Sequence, residues 1–102
     1  MILNVKERFA LLSLLPKEGN FINLKLIRVL REELSFSEEE SNTLKFTQVD
    51  GIIHWNEAID PMKDIHIGEI TTSLIVDILK NKDRDNKLTE DYMSLYEKFI
   101  IS

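Results

Sequence analysis

The hydrophobic pattern changes its period once along the chain, and the change centres on an Asp50-Gly51 pair. Up to Leu34 the apolar residues recur at helical spacing, whereas from Leu44 to Trp55 they alternate with polar residues. Asp-Gly between two alternating segments is typical of a two-residue β-hairpin turn, because both central residues of that turn need a positive φ. The chain therefore combines helices with a hairpin, which predicts an α+β fold.

A two-residue turn also sets the register of the hairpin. It pairs Val49 with Ile52, Gln48 with Ile53, and Phe46 with Trp55. Four apolar residues then share one face of the hairpin, namely Leu44, Phe46, Ile53 and Trp55. We expect the cross-strand aromatic pair on this face to anchor the hairpin against the helices.

Periodicity and capping residues predict four main helices and one short helical turn. Asn4 and Ser37 each precede a glutamate by three residues, which is the spacing of a capping box. The second helix has two candidate caps, Asn20 and Asn23. The predicted elements span Asn4–Leu15, Asn20 or Asn23 to Leu34, the short turn Ser37–Asn42, Glu69–Lys82 and Thr89–Ile100.

The last turn of the first helix is apolar on nearly all sides, through Leu11, Leu14 and Leu15. Such a turn must be covered by the rest of the chain or by a partner. Later in the chain, Ile65 and Ile67 alternate with polar neighbours, which is compatible with a brief third strand. Because the chain has 102 residues and no linker-like segment, we expect one compact domain over residues 1–102.

The composition of the chain argues against several classes of function. The absence of cysteine excludes disulfides and thiolate chemistry. No run of about 18 uncharged apolar residues is present, and the N-terminus does not resemble a secretory signal, so we expect a cytoplasmic protein without a membrane span. Eighteen acidic and thirteen basic residues give a formal charge of −5, which disfavours indiscriminate binding to nucleic acid.

Two patterns raise the question of a metal site, and neither predicts one. Asn81, Asp83 and Asp85 have the spacing of the first ligands of a calcium loop, but Asn86 replaces the required glycine and Tyr92 replaces the bidentate glutamate. We therefore expect a polar turn between two helices, with Asn86 in the left-handed region.

The histidines His54 and His66 lie in predicted strands without a carboxylate at ligand spacing. The three glycines form no phosphate-binding loop, and no nucleophile elbow is present. We expect no catalytic residue, no metal and no cofactor, and hence a protein that is not an enzyme.

The most distinctive charged feature is a cluster of five glutamates within nine positions: Glu32, Glu33, Glu38, Glu39 and Glu40. As a solvated surface it would improve solubility and complement a helix N-terminus. As a functional surface it would attract a basic groove on another protein. The order of helices and hairpin also invites comparison with winged helix-turn-helix proteins, but the helix placed at DNA phosphates would then be acidic.

Four strings resemble small uncharacterised proteins of tailed bacteriophages and prophages. They are residues 14–20 (LLPKEGN), 34–40 (LSFSEEE), 51–56 (GIIHWN) and 87–99 (KLTEDYMSLYEKF). This resemblance supplies no activity and no functional residue. It implies a protein that acts by contact, inside an infected bacterium.

The sequence thus predicts a non-catalytic protein-binding module that acts on host or defence machinery through the acidic cluster. Two alternatives stay open. One is a virion or assembly component that oligomerises through spare apolar surface such as the Leu11–Leu15 turn. The other is a small DNA-binding regulator of the winged-helix kind.

Overall fold

The computed structural model describes residues 1–101, in which five α-helices and two small antiparallel sheets follow one another along the chain. The last helix continues into a π-helical segment, Glu97–Ile101. In chain order the elements are β1 (Ile2–Leu3), α1 (Val5–Leu14), α2 (Phe21–Leu34), α3 (Glu38–Leu44), β2 (Thr47–Val49), β3 (Ile52–His54), β4 (Lys63–Asp64), α4 (Glu69–Arg84) and α5 (Glu90–Tyr96).

Helix α1 is the centre of the fold. Asn4 caps it and Glu7 completes the predicted capping box, since each side chain bonds to the other residue's backbone N–H. Buried residues point in almost every direction around this helix, so it is enclosed by α2, α5 and the aromatic side chains near the hairpin. The apolar turn Leu11–Leu15 is accordingly buried by the chain itself and offers no spare surface for oligomerisation.

The apolar core lies between α1 and the helices α2, α4 and α5. Its buried members are Leu3, Ala10, Leu11, Leu14, Leu15, Ile27, Leu30, Leu34, Ile65, Ile75, Leu79 and Leu95. Helices α2 and α4 each contribute through one stripe, α5 contributes Leu95, and α1 contributes from several sides. The removal of these side chains from water is the main favourable term in folding.

Two charged residues of α1, Glu7 and Arg8, are also buried. The Lys98 ammonium donates to Glu7 Oε1 at 2.8 Å and to the carbonyl oxygen of Ile2 at 2.8 Å, which ties the C-terminal segment to the N-terminus. Burial by itself raises the pKa of Glu7, but hydrogen bonds from Lys98, Asn4 and Ser94 outweigh it and lower that pKa. These hydrogen bonds thus compensate the burial of the Glu7 carboxylate.

Helices α2 and α3 begin at short polar caps. Asn20, and not Asn23, caps α2, because the Asn20 side chain accepts from the backbone N–H of Asn23. Ser37 and Glu40 form the predicted capping box of α3. The expectation of four helices and a single turn ending at Asn42 was wrong, because α3 continues to a buried Leu44 and makes a fifth helix.

The hairpin has the predicted turn and register. Val49 pairs with Ile52 and Gln48 with Ile53, and Asp50 and Gly51 adopt φ values of 52° and 78°. One assignment was wrong: Leu44 does not share the apolar face of the hairpin. It ends α3, and the left-handed Lys45 then redirects the chain into the strand.

Four half-buried aromatic rings anchor the hairpin to the helices. Phe46 and Trp55 meet across the strands with ring centroids 6.5 Å apart, as expected. Phe9 of α1 contacts both rings, at 5.5 Å and 5.6 Å, and also contacts Phe36 at 4.9 Å. Phe9 therefore joins all members of this aromatic cluster, defined as Phe9, Phe36, Phe46 and Trp55.

The brief third strand expected at Ile65 and Ile67 was wrong in place. The strand is β4, Lys63–Asp64, and it pairs with β1 and not with the hairpin. The N-terminal ammonium reinforces this pairing by donating to Asp64 and to the carbonyl oxygen of Ile65. Ile65 leaves the strand and is buried in the core.

The C-terminal half contains the two remaining predicted helices. Helix α4 begins at the predicted Glu69 and runs two residues beyond the expected Lys82, to Arg84. Thr89 is the N-cap of α5 but makes no capping hydrogen bond. Within residues 1–101, no helix combines the length and the apolar character that a membrane crossing requires.

Replacing Phe9 by alanine removes the ring that joins the aromatic cluster, and we expect it to lower the free energy of unfolding by about 2–3 kcal/mol, since the ring is half-buried. Urea denaturation at low micromolar protein concentration measures the effect. Phe21→Ala is the matched control, because the Phe21 side chain is 78% exposed and its loss should change stability by less than about 0.5 kcal/mol. Equal effects of the two substitutions would contradict this account of the cluster.

Candidate functional site

The five glutamates of the acidic cluster lie where α2 ends and α3 begins. Glu32 and Glu33 belong to the last turn of α2, and Glu38, Glu39 and Glu40 form the first turn of α3. Three carboxylates at a helix N-terminus are favourable, because the first backbone N–H groups of a helix are unpaired and carry partial positive charge. The three glutamates at the start of α3 therefore stabilise this helix, whether or not they also bind a partner.

A buried guanidinium, that of Arg8, fastens this corner to α1. Its Nε donates to the carbonyl oxygen of Leu34 at 3.1 Å, and its Nη2 donates to that of Ser35 at 2.6 Å. Its Nη1 donates to Glu40 Oε2 at 2.6 Å. The guanidinium carbon also lies 3.8 Å from the centre of the Phe36 ring, within the range of a cation–π contact. Arg8 thus satisfies carbonyls at the end of α2 and one carboxylate at the start of α3.

The carboxylate of Glu40 is used in contacts within the molecule. The hydrogen bond from Arg8 is the main reason that the pKa of Glu40 falls to about 2. Burial is the second-largest effect and opposes it, and the backbone N–H of Ser37 lowers the pKa further. Its carboxylate already accepts from Arg8 and from Ser37. Glu40 belongs with the internal network more than with the exposed surface.

The other four glutamates, Glu32, Glu33, Glu38 and Glu39, are exposed. In the described chain, no cation lies within ion-pair distance of their carboxylates. Lys63 comes near the corner, but its ammonium donates to the backbone carbonyl of Glu33 at 3.0 Å. These four residues are called the acidic patch below.

A cleft beside the acidic patch was not expected from the sequence. It lies between α3 and the hairpin, has a volume of about 350 Å³, and is called the hairpin cleft. Its lining residues are Phe9, Phe36, Ser41, Phe46, Thr47, Gln48 and Ile53. Ser41 lies one helical turn after Glu38, so one member of the acidic patch lies on the same side of α3 as the cleft.

A second, larger cleft of about 540 Å³ lies between the hairpin and helices α1 and α5, and shares Phe9 and Ile53 with the hairpin cleft. Phe9, Trp55 and Tyr92 are its aromatic lining. An exposed ion pair, Lys6 with Asp91 at 3.7 Å, borders it. Both clefts follow from one fact, that all six strand residues of the hairpin remain exposed while only its base packs on the helices.

The calcium-like pattern lies on and beside a helix. Asn81 and Asp83 belong to α4 and Asp85 is its C-cap, so the three residues follow a helical path and do not wrap a central point. Asn86 has φ 57°, the left-handed geometry expected for the turn. Asp83 accepts from the Tyr96 hydroxyl, and Asp85 accepts from Arg84. Across residues 1–101, no group of three or more His, Cys, Asp or Glu side chains has a geometry that could hold a metal ion.

The two histidines belong to different parts of the fold. His54 lies in β3 and pairs with Thr47, whereas His66 follows β4. Both are exposed. The structure therefore does not assemble them into one sheet.

No protein family, curated protein or solved structure matches this chain significantly. The resemblance to bacteriophage proteins stays a hypothesis.

The Arg8–Glu40 contact predicts a specific dependence of stability on pH. Because the pKa of Glu40 is about 2 in the folded protein and near 4.5 when unperturbed, its contribution is complete above about pH 4.5 and is lost as the pH falls toward 2. Glu40→Gln lacks this contribution, so its free energy of unfolding should fall less steeply than that of the wild type over this interval. Denaturant titrations at several pH values measure the difference.

Glu39→Gln, on the same helix but without an ion pair, is the matched control and should keep the slope of the wild type. An unchanged slope in Glu40→Gln would show that Arg8 does not hold the carboxylate of Glu40 in solution.

Proposed function

We propose that this protein is a non-catalytic protein-binding module whose acidic patch and hairpin cleft together receive a basic partner protein. The observation that supports this most directly is the group of four exposed carboxylates that form no ion pair in the described chain, close to an aromatic-lined cleft. Unpaired charges of one sign steer a partner of opposite charge, and an aromatic cleft supplies the apolar contact that holds it.

The positions of the charges are consistent with steering by exposed carboxylates and apolar contact in the cleft. Arg8 neutralises Glu40 internally, whereas Glu38 and Glu39 on the same turn face solvent. Phe36 connects the two features, since it lies under the Arg8 guanidinium and also lines the hairpin cleft. A partner with lysine or arginine residues around one apolar side chain would be complementary to both.

The resemblance noted in the sequence extends the proposal to a setting, the cytoplasm of an infected bacterium, with a host or defence protein as the partner. DNA is a weaker candidate. The exposed residues of α3, which would approach phosphates in a winged-helix arrangement, include Glu38 and Glu39.

Capture from a bacterial lysate with the immobilised protein, followed by mass spectrometry, tests the proposal. We expect a basic protein to be retained by the wild type and lost with the double variant Glu38→Lys, Glu39→Lys. We also expect its affinity to fall at least about tenfold between about 50 mM and 500 mM salt, because screening weakens the attraction of exposed charges.

Glu69→Lys with Glu90→Lys is the matched control, because both residues lie in the first turns of other helices and the charge change is the same. This control should retain the partner. Equal binding by the wild type and the Glu38/Glu39 variant, or an affinity insensitive to salt, would refute the role of the acidic patch.

Ser41→Phe tests the hairpin cleft without changing the charge. The larger side chain would fill the cleft from α3, so we expect it to weaken partner binding about tenfold or more. Ser73→Phe is the matched control, because Ser73 is an exposed serine of α4 and does not line the cleft. Unchanged affinity of Ser41→Phe would remove the cleft from the proposal.

A further inference from the structure

The outer face of α2 carries a stripe that is complementary to itself. Ile22, Lys25, Val29 and Glu32 are spaced three, four and three residues apart, so they lie along one side of the helix. This set is called the α2 stripe. Its basic residue lies toward the start of the helix, its acidic residue toward the end, and an apolar residue lies between them.

The α2 stripe is open to solvent. Ile22 and Val29 are 65% and 55% exposed, and the adjoining Phe21 is the most exposed large apolar side chain in residues 1–101, at 78%. Neither Lys25 nor Glu32 forms an ion pair within the described part of the chain. The opposite side of α2, with Ile27, Leu30 and Leu34, is buried in the core.

We propose that a second copy of this chain packs on the α2 stripe in an antiparallel, two-fold symmetric arrangement. In that arrangement Lys25 of each copy faces Glu32 of the other, because the two residues are equally far from a centre next to Val29. Two identical ion pairs then flank the apolar contact that Val29 makes near the axis, and Ile22 lies beyond each pair.

Charge order selects this occupant and this orientation. A parallel pair of α2 helices would place Lys25 against Lys25 and Glu32 against Glu32, which is repulsive. A partner that is basic throughout would meet Lys25 and the neighbouring Arg28 with like charge. Of these three occupants, the antiparallel copy is the one that places an opposite charge at both ends of the stripe.

The dimer is expected to be weak, with a dissociation constant on the order of 10 μM to 100 μM, because a 14-residue helix is only about 21 Å long and offers few apolar side chains. It uses Glu32 of the acidic patch but leaves Glu38 and Glu39 on α3 exposed. The dimer and the binding of a basic partner can therefore coexist, and each is tested by different substitutions.

Analytical ultracentrifugation of the full chain tests the proposal over concentrations from about 1 μM to about 1 mM. We expect the average mass to rise from 11.9 kDa toward twice that value. Lys25→Glu and Glu32→Lys should each weaken dimerisation about tenfold or more, since each converts two attractive pairs into two repulsive ones. The double variant Lys25→Glu, Glu32→Lys restores both pairs and should return to within about threefold of the wild type.

Lys80→Glu is the matched control, an exposed lysine of α4 outside the stripe, and should dimerise like the wild type. Val29→Asp places a charge next to the axis and should leave a monomer. The proposal is overturned if the wild type stays monomeric at every concentration, if the double variant is no better than the single ones, or if Val29→Asp still dimerises. None of these results bears on partner binding through Glu38 and Glu39.

Discussion

The arrangement of the acidic corner depends on one buried guanidinium. A charge without access to water is costly unless hydrogen bonds and an opposite charge compensate it. Arg8 receives this compensation from two carbonyl oxygens at the end of α2, from the carboxylate of Glu40 and from the face of Phe36. Because these partners lie at the end of α2, at the start of α3 and in the segment between them, the requirements of one side chain of α1 place the three helices relative to one another.

The same contact divides the glutamates into two classes. Glu40 is directed inward by Arg8 and by its own capping box, whereas Glu38 and Glu39 are left at the surface of a short helix. Phe36 also packs against Phe9 and Phe46, so it links the Arg8 site to the aromatic cluster and to the hairpin cleft. A charged patch and an apolar cleft thus become neighbours on one face, which is the basis of the proposed binding role.

Local features were predictable from the sequence, and long-range ones were not. The capping boxes at Asn4 and Ser37 and the turn at Asp50-Gly51 depend on residues a few positions apart, and they were predicted correctly. The pairing of β1 with β4 joins residues about 60 positions apart and has no counterpart in local periodicity.

Arg8 was missed because an arginine beside Lys6 and Glu7 has the pattern of a solvated helix surface. The sequence indicated only that the last turn of α1, with Leu11, Leu14 and Leu15, must be covered. Hydrogen exchange of Arg8→Lys tests most directly whether Arg8 holds α3 in place. Lysine keeps the charge but cannot donate to three acceptors in the plane of a guanidinium. Faster exchange of the α3 amides with α4 unchanged is the expected result; α3 amides as protected as in the wild type would contradict it.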